Sequence, residues 1–397
     1  MASTLTDELP PSTSLDLVLR HPTKEEQVTI WKSTSAAWID SLTPSLYLEE
    51  SLYLTSIPLA RNGGMTPWIL VHKDQNPDER HILCSCESFR KRSLTSDRNG
   101  TVSENIVHGI ASVFCATPYR RRGYAARMMR ELEKELYTWQ TETLPCVGTT
   151  LYSDIGKEYY AKLEWLPNAT NRHVEIPPEA MSWPSAAKEI TEDDLDALCK
   201  RDEVIVRSRM AVPTDETRTR FTIIPDLEHM GWHLSKESFA CKYLFSKEPT
   251  AKGAMAGPPG NQMWAVWTHR YYGRPDKEPR NNVLYILHLV LEVDETATRL
   301  PSDAAKRPVA ELYEEQVRCL KAILQAAQAE ASAWKLDVIK LWEPSPLVSE
   351  LLARTGVYHT VVDREEDSIA SLLWYDAAGG ITKDAPLWIN NEHYAWQ

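Results

Sequence analysis

The chain has 397 residues, of which 43% are hydrophobic and 25% are charged, and its formal net charge is -12 at pH 7. Domains usually run to about 100 to 200 residues, so this length predicts two globular domains. No apolar run approaches the roughly 18 to 20 residues that span a bilayer, and an acidic chain lacks the basic surface that nucleic acids require. These features argue against membrane-spanning and nucleic-acid-binding proteins and favour a cationic or neutral small partner.

Cysteine usage and the chain termini predict a reduced, cytoplasmic setting. The seven cysteines are an odd number in apolar contexts, and no pair has zinc-site spacing beside a histidine pair, so we expect free thiols and no metal. The first residues, MASTLTDELPPSTS, contain acidic residues and no apolar segment, so no secretory or transit signal is expected. The final Ala-Trp-Gln is not a peroxisomal signal.

The first half of the chain predicts strands and helices in a β-α-β-α succession. Alternating or continuous apolar runs predict strands, at residues 15–20, 65–73, 82–89, 105–115 and 144–152. Apolar residues at helical spacing predict helical segments, at residues 23–53, 122–139 and 156–163. Three prolines interrupt all periodicity over residues 176–188, where we place a domain boundary.

The second half repeats the same succession. Strands are predicted at residues 262–268, 283–293, 336–342 and 368–375. Helices are predicted at residues 191–203, 308–334 and 346–354. We therefore expect an α/β (α+β) protein with one domain at 1–180, a mixed sheet flanked by helices, and a degenerate copy of it at 186–397.

A phosphate-binding motif lies where a predicted strand meets a predicted helix, in Val113-Phe114-Cys115-Ala116-Thr117-Pro118-Tyr119-Arg120-Arg121-Arg122-Gly123-Tyr124-Ala125-Ala126. The start of a helix has free backbone N–H groups that hold anions. Arg120, Gly123 and Ala125 resemble the Arg/Gln-x-x-Gly-x-Gly/Ala element of GNAT-superfamily N-acetyltransferases. A solvated basic turn is the alternative interpretation.

The resemblance to GNAT proteins implies acetyl-coenzyme A as co-substrate. It implies that the backbone of Val113, Phe114 and Cys115 pairs with the pantetheine arm. It also implies that the segment after them wraps the pyrophosphate, through Arg120, Arg121, Arg122, Gly123, Tyr124, Ala125 and Ala126.

A second segment, Leu151-Tyr152-Ser153-Asp154-Ile155-Gly156-Lys157-Glu158-Tyr159-Tyr160-Ala161-Lys162-Leu163-Glu164-Trp165, resembles the GNAT region that carries a catalytic tyrosine. The resemblance implies that Tyr160 protonates the departing thiolate. Ser153 occupies a position where relatives contact the cofactor, and Glu164 replaces a usual glycine. A tyrosine that only packs in the core is the alternative for Tyr160.

The acceptor amine needs a proton acceptor, because an alkyl ammonium of pKa about 10.4 is almost fully protonated at neutral pH. Glu87, Glu104 and His108 lie on or beside the predicted middle strands and are the candidates. Cys115 has no His-Asp arrangement that would activate it, so a covalent acyl intermediate is not expected.

The second half lacks a second phosphate loop, because Asp294-Glu295-Thr296-Ala297-Thr298 has no glycine and two acidic residues. Nearly the whole chain resembles the fungal free-lysine N6-acetyltransferase family, through YSDIGKEYYAKLEW, LWEPSP and EHYAWQ. That resemblance implies acetyl transfer to the side-chain amine of free L-lysine, within lysine catabolism. Candidate acceptor-binding residues are Glu49, Glu50 and His269.

Other activities remain open from the sequence. Acetylation of protein lysines, N-termini or polyamines uses the same chemistry, and a pocket closed by the second half would favour a free amino acid over a protein. An inactive acetyl-CoA-binding module is the alternative outside the enzymes.

Overall fold

The computed structural model describes residues 9–278, 280–293 and 309–397. The strands are β1 (Leu17–Arg20), β2 (Met65–His72), β3 (Cys84–Ser96), β4 (Val102–Phe114), β5 (Cys146–Ser153), β6 (Leu166–Pro167), β7 (Arg172–Ile176), β8 (Lys188–Ile190), β9 (Arg220–Ile223), β10 (Gly253–Ala256), β11 (Met263–Arg270), β12 (Val283–Leu291), β13 (Val338–Trp342), β14 (Thr360–Asp363), β15 (Ile369–Tyr375), β16 (Ile381–Thr382) and β17 (Leu387–Trp388). The helices are α1 (Lys24–Trp38), α2 (Pro44–Leu54), α3 (Tyr124–Thr138), α4 (Glu158–Ala161), α5 (Glu192–Met210), α6 (Leu227–Phe245), α7 (Val309–Ala333) and α8 (Pro346–Thr355).

Two sheets form the framework. The first runs in the order β1-β2-β3-β4-β5-β15-β16, with β9 added to β3, β17 to β9 and β6 to β15. The second runs in the order β14-β7-β13-β12-β11-β10-β8. The central strands of each sheet form a parallel pair among antiparallel neighbours, β4 with β5 in the first and β12 with β13 in the second, and β17 also pairs parallel with β9 in the first sheet.

The two halves of the chain exchange strands. β15, from the second half, pairs antiparallel with β5 of the first half, from Ile369 opposite Ser153 to Trp374 opposite Gly148. In return β7, from the first half, pairs with β13 and β14 of the second. The division into 1–180 and 186–397 stays a prediction, and the sheets do not follow it strand for strand.

Apolar layers join the elements. The side of the first sheet that faces α3 buries Met128, Met129, Leu132 and Leu136 of that helix. The second sheet packs against α7 in a separate core. A third core lies between the sheets, where Val107 and Ala370 of the first meet Trp264 and Leu287 of the second. No helix in the described ranges is both long and apolar enough to cross a membrane.

Several predicted elements differ from the structure. The helical stretch 23–53 is two helices, because Asp40 takes a left-handed φ of 51° and Pro44 starts α2 behind its N-cap Thr43. The sequence patterns did not identify α6, β9 or β10. The acidic segment Asp294–Thr298 and the predicted helix start at Pro308 lie outside the described residues.

We predict that Leu373→Ala in β15 lowers the free energy of unfolding by about 2–5 kcal/mol, because it removes a fully buried side chain from the exchanged strand. Urea denaturation followed by circular dichroism measures the change. Val361→Ala on β14, where the side chain is 59% exposed, is the control with little effect. A loss below about 1 kcal/mol for Leu373→Ala would contradict the packing of β15 in the first sheet.

Candidate functional site

The two parallel strands at the centre of the first sheet separate at one end. β4 pairs with β5 only as far as Ile110 opposite Leu151, although β4 continues to Phe114 and β5 to Ser153. On its other side β4 stays paired with β3 as far as Phe114. Within the described residues, no strand pairs with the β5-facing edge of residues 111–114. Its backbone N–H and C=O groups can therefore pair with an extended ligand, as an added strand would.

A backbone irregularity causes this separation. The register between β3 and β4 shifts between Ser85 and Glu87, and Ser112 opposite them has a left-handed φ of 55°. Such a conformation costs a non-glycine residue about 1–2 kcal/mol. A bulge of this kind bends its strand and redirects side chains, and here it turns the end of β4 away from β5.

The loop after β4 leads into the start of α3. Arg121 has a φ of 60° and Gly123 a φ of 83°, and Tyr124 begins the helix without a side-chain cap. Arg120, Arg121 and Arg122 are all exposed, and Arg120 also donates from Nε to the carbonyl of Cys115 at 2.9 Å. Free N–H groups in the first helical turn, beside exposed arginines, form a site suited to a phosphate group.

The segment before β1 lies against the start of α3. A Cβ atom added to Gly123 would lie 2.7 Å from the Ser12 hydroxyl oxygen, so the position is crowded as well as left-handed. Tyr124 is buried and donates to the Pro10 carbonyl at 2.5 Å, so only its backbone is available to a phosphate. Ala125 and Ala126 pack against the α3 core.

A cavity of about 1040 Å³ opens beside the separated strands, between the two halves of the chain. Its walls come from α1, α2, the ends of β4 and β5, α6, and the second sheet. Predicted site residues in the wall are Glu50, Glu87, Val113, Ser153 and Tyr160. A pocket of this size at an interface between subdomains is typical of small-molecule sites.

Glu87 faces this cavity from β3. Ser112 donates to its Oε2 atom at 3.0 Å, so the bulge in β4 also orients the carboxylate. Burial raises the pKa of Glu87 above its ordinary value, while the Ser112 hydrogen bond and the positive charge of Lys236 act in the opposite direction. A desolvated carboxylate with a raised pKa suits proton transfer near neutral pH.

Tyr160 enters the cavity from the single turn of α4. Its ring is buried in the α3 core and lies 5.0 Å from the perpendicular ring of Tyr159. Burial raises the pKa of Tyr160 above its ordinary value, which keeps the phenol protonated. The turn behind it is fixed because Trp165 donates its backbone N–H to the Tyr160 carbonyl at 3.0 Å.

The structure also shows what Glu164 and Ser153 do in this segment. Glu164 replaces the usual glycine and takes a left-handed φ of 74°, so the turn keeps a glycine-like conformation. Ser153 ends β5, and its hydroxyl donates to the Gly156 carbonyl at 2.8 Å while accepting from the Ile155 N–H at 3.2 Å. Its side chain therefore closes a turn at the cavity wall.

Other candidate proton acceptors lie outside the cavity. His108 faces α3, with Nε2 3.0 Å from the Trp139 carbonyl oxygen, and burial lowers its pKa to about 4. It shares that face with Ile106 and Ile110, as strand alternation requires, whereas Glu87 projects from the opposite face. Glu104 lies in a partly exposed ion-pair cluster, 2.9 Å from Arg92.

Of the three predicted acceptor-binding residues, one lines the large cavity and two lie outside it. Glu50 on α2 lines the cavity, whereas its neighbour Glu49 is exposed. His269 borders a small adjoining chamber and is held between Glu237 at 2.6 Å and Glu330 at 3.1 Å. Those carboxylates raise the pKa of His269.

Several polar residues of the cavity wall were missed from the sequence, namely Asp40, Ser112, Lys236 and Arg270. Lys236 lies on α6, a helix that the apolar spacing did not reveal. Arg270 follows His269 at the end of β11, and strand alternation places the two side chains on opposite faces. That alternation is the one signal that could have directed attention to Arg270.

The separated parallel strands, the glycine-led helix and the flanking mixed sheet define a GNAT-type fold. The family model of the LYC1 GNAT-like C-terminal domain matches residues 173–397. The chain belongs to this family, and the predictions of a mixed α/β fold and of a second GNAT-like half are confirmed.

The individual relatives share little sequence identity with this chain. A protein of Yarrowia lipolytica (strain CLIB 122 / E 150) named lysine acetyltransferase is 23% identical over a region covering 57% of this chain. The matched region spans 65% of the length of that relative. Saccharomyces cerevisiae N-myristoyltransferase with bound myristoyl-CoA has a similar fold, with a TM-score of 0.51 at 8% identity, covering 94% of this chain and 83% of that one. A GCN5-related N-acetyltransferase from Kribbella flavida gives a TM-score of 0.47 at 13% identity, covering 90% and 72%.

We predict that Glu164→Gly raises the free energy of unfolding by about 0.5–1 kcal/mol, because glycine takes the left-handed conformation without the Cβ penalty. Chemical denaturation measures the change. Glu135→Gly, at an exposed interior position of α3, is the matched control and should lower stability by a similar amount. Destabilisation of both variants would contradict the turn geometry at Glu164.

Proposed function

We propose that the chain transfers the acetyl group of acetyl-CoA to the side-chain amine of free L-lysine, forming N6-acetyl-L-lysine by direct attack in a ternary complex. The observation that carries the proposal is that Glu87 and Tyr160 line one cavity beside the open edge of β4. The similarity to a lysine acetyltransferase of Yarrowia lipolytica supports the choice of acceptor.

The residues fit the co-substrate at both of its ends. The open backbone edge at residues 111–114 suits the amide groups of a pantetheine arm, as the resemblance to GNAT proteins implies. The start of α3, with left-handed Gly123 and exposed Arg121 and Arg122, suits a pyrophosphate. The thioester would then lie where β4 and β5 separate, next to Tyr160.

In the proposed reaction Glu87 accepts the first proton from the acceptor ammonium. The free amine forms a bond to the acetyl carbon, and the bond from that carbon to sulfur breaks. Tyr160 donates a proton to the departing thiolate. The nitrogen loses two protons in all. The first passes through Glu87 to solvent, and the second restores the proton that Tyr160 gave to the sulfur.

A thiol-release assay with acetyl-CoA tests the proposal against the other activities. We expect the highest kcat/KM with L-lysine among four acceptors: L-lysine, L-ornithine, spermidine and a histone peptide. A preference for spermidine or the peptide would replace free lysine with that acceptor class. No release with any acceptor, despite acetyl-CoA binding, would favour an inactive binding module.

We predict that Glu87→Gln lowers kcat/KM for lysine by about 100-fold or more, because the acceptor ammonium loses its proton acceptor. In the wild type the rate should fall towards acidic pH as Glu87 becomes protonated, at a pH above the ordinary glutamate pKa. The variant should lack this acidic limb. Exposed Glu142→Gln is the control, and an unchanged pH profile in Glu87→Gln would exclude Glu87 as the base.

We predict that Tyr160→Phe lowers kcat by about 100-fold while the KM for acetyl-CoA changes much less, because the phenol acts on the leaving group. Steady-state kinetics at saturating lysine separate the two parameters. Tyr159→Phe removes a hydroxyl from the adjacent ring and should leave kcat near the wild-type value. Equal kcat values for all three proteins would remove Tyr160 as the acid.

A further inference from the structure

Two ion pairs lie next to each other in the wall of the cavity. Lys236 Nζ on α6 lies 2.8 Å from Glu50 Oε2 on α2. Arg270 Nη2 at the end of β11 lies 2.5 Å from Asp40 Oδ2, in the turn after α1. Each pair therefore joins the helical segment of the first half to the second half of the chain. All four residues line both the large cavity and the small chamber beside it.

Glu87 lies in the same cavity wall as these two pairs, and the positive charge of Lys236 lowers its pKa. The two pairs also line the small chamber together, and the charges of Asp40 and Glu50 both raise the pKa of Arg270. We call the set of Glu87, Lys236, Glu50, Arg270 and Asp40 the charge row. Its three carboxylates and two cations leave one excess negative charge.

Arg270 is held rigidly within the charge row. Its guanidinium carbon lies 5.2 Å from the ring centroid of Tyr272 and 5.9 Å from that of Trp396. The Tyr272 hydroxyl lies 3.1 Å from the Tyr285 hydroxyl, which fixes the ring beneath the cation. The Arg270 side chain is 16% exposed. An arginine fixed by aromatic rings presents its planar donors to a carboxylate with little further loss of entropy.

Stability alone does not explain two such pairs. Removing paired charges from water costs several kcal/mol per ion, and apolar residues in their place are often neutral or stabilising. The Glu50 and Lys236 side chains are 4% and 19% exposed, so both are largely removed from water. At a cavity wall, the charged side chains of such pairs can bind a charged ligand instead of each other. Hydrogen bonds to the ligand then replace those of the ion pair.

We propose that the charge row binds a free diamino acid, with Arg270 and Lys236 facing its α-carboxylate and Asp40 and Glu50 facing its α-ammonium. This inference rests on the proposed function, because Glu87 then meets the side-chain amine. Free lysine carries one net positive charge, which balances the excess negative charge of the row. A polyamine has no carboxylate for Arg270, and a lysine within a peptide has neither terminal charge.

Acceptors that lack either the α-carboxylate or the α-amine of lysine test the binding role of the charge row. L-Lysine is compared with cadaverine, which lacks the carboxylate, and with 6-aminohexanoate, which lacks the α-amine. In Arg270→Gln we expect the KM for lysine to rise about 10- to 100-fold, as for a lost charged hydrogen bond, with the KM for acetyl-CoA unchanged. Cadaverine turnover should change less than about threefold, because cadaverine has no carboxylate to lose. Equal losses for lysine and cadaverine would overturn the proposal.

A second variant covers the case in which Arg270→Gln does not fold. Asp40→Asn should raise the KM for lysine and leave 6-aminohexanoate unaffected, because that acceptor has no α-ammonium. Equal changes for both would overturn the proposal. Arg274→Gln is the matched control, since this exposed arginine of the loop after β11 pairs with Asp276 at 3.2 Å outside the cavity.

Calorimetry separates this proposal from the proposed function. L-Lysine is titrated into the wild-type protein and into Arg270→Gln, each with coenzyme A present. Binding by the wild type that is weakened at least tenfold in the variant supports the charge row, even if no acetyl transfer occurs. No lysine binding by the wild type, or equal binding by both proteins, contradicts it.

Discussion

The separation of β4 from β5 after Ile110 is the constraint on which the rest of the site depends. Hydrogen bonds between parallel neighbours are evenly spaced along the pair, and here they stop while both strands go on. The bulge at Ser112 has two effects, because it opens a backbone edge and places a hydroxyl on Glu87. One irregular residue thus couples the proposed place of the thioester to the proposed proton acceptor.

The second half of the chain completes the cavity. Strand β15 extends the first sheet beyond β5, and β7 ties the other sheet to the first half. These exchanges hold the charge row together, because Lys236 and Arg270 come from the second half and Glu50 and Asp40 from the first. The geometry across the cavity therefore depends on strand pairing as well as on the side chains in its wall.

Local sequence patterns predicted the parts of the site that are local in the chain. The start of α3 was predicted from Gly123 and the amphipathic spacing after it, and Tyr160 was singled out by the resemblance of its segment to GNAT proteins. The sequence could not distinguish Glu87 from His108, since both lie on central strands. Only the bulge and the side of the sheet that each faces place Glu87 in the cavity and His108 beneath Trp139.

The residues that were missed show why the remaining parts of the site could not be predicted from the sequence. Helix α6 buries residues on several sides, including polar His229, His233 and Glu237, so it has no single apolar stripe and its Lys236 went unnoticed. The partner of Lys236 is Glu50, 186 positions away in the chain, and such long-range pairs leave no periodic signal. Glu164 shows the reverse case, in which a residue unsuited to a turn still adopts the conformation that its surroundings require.

A crystal structure with a bisubstrate analogue would show whether acetyl transfer takes place in this cavity. In the analogue, the lysine side-chain nitrogen is joined through an acetyl linker to the sulfur of coenzyme A. We expect the linker to lie between β4 and β5, with the nitrogen within about 3.2 Å of the Glu87 carboxylate. The lysine carboxylate should then lie against Arg270. An analogue bound away from this cavity, or with its lysine nitrogen remote from Glu87, would contradict the proposed site and the proposed role of Glu87.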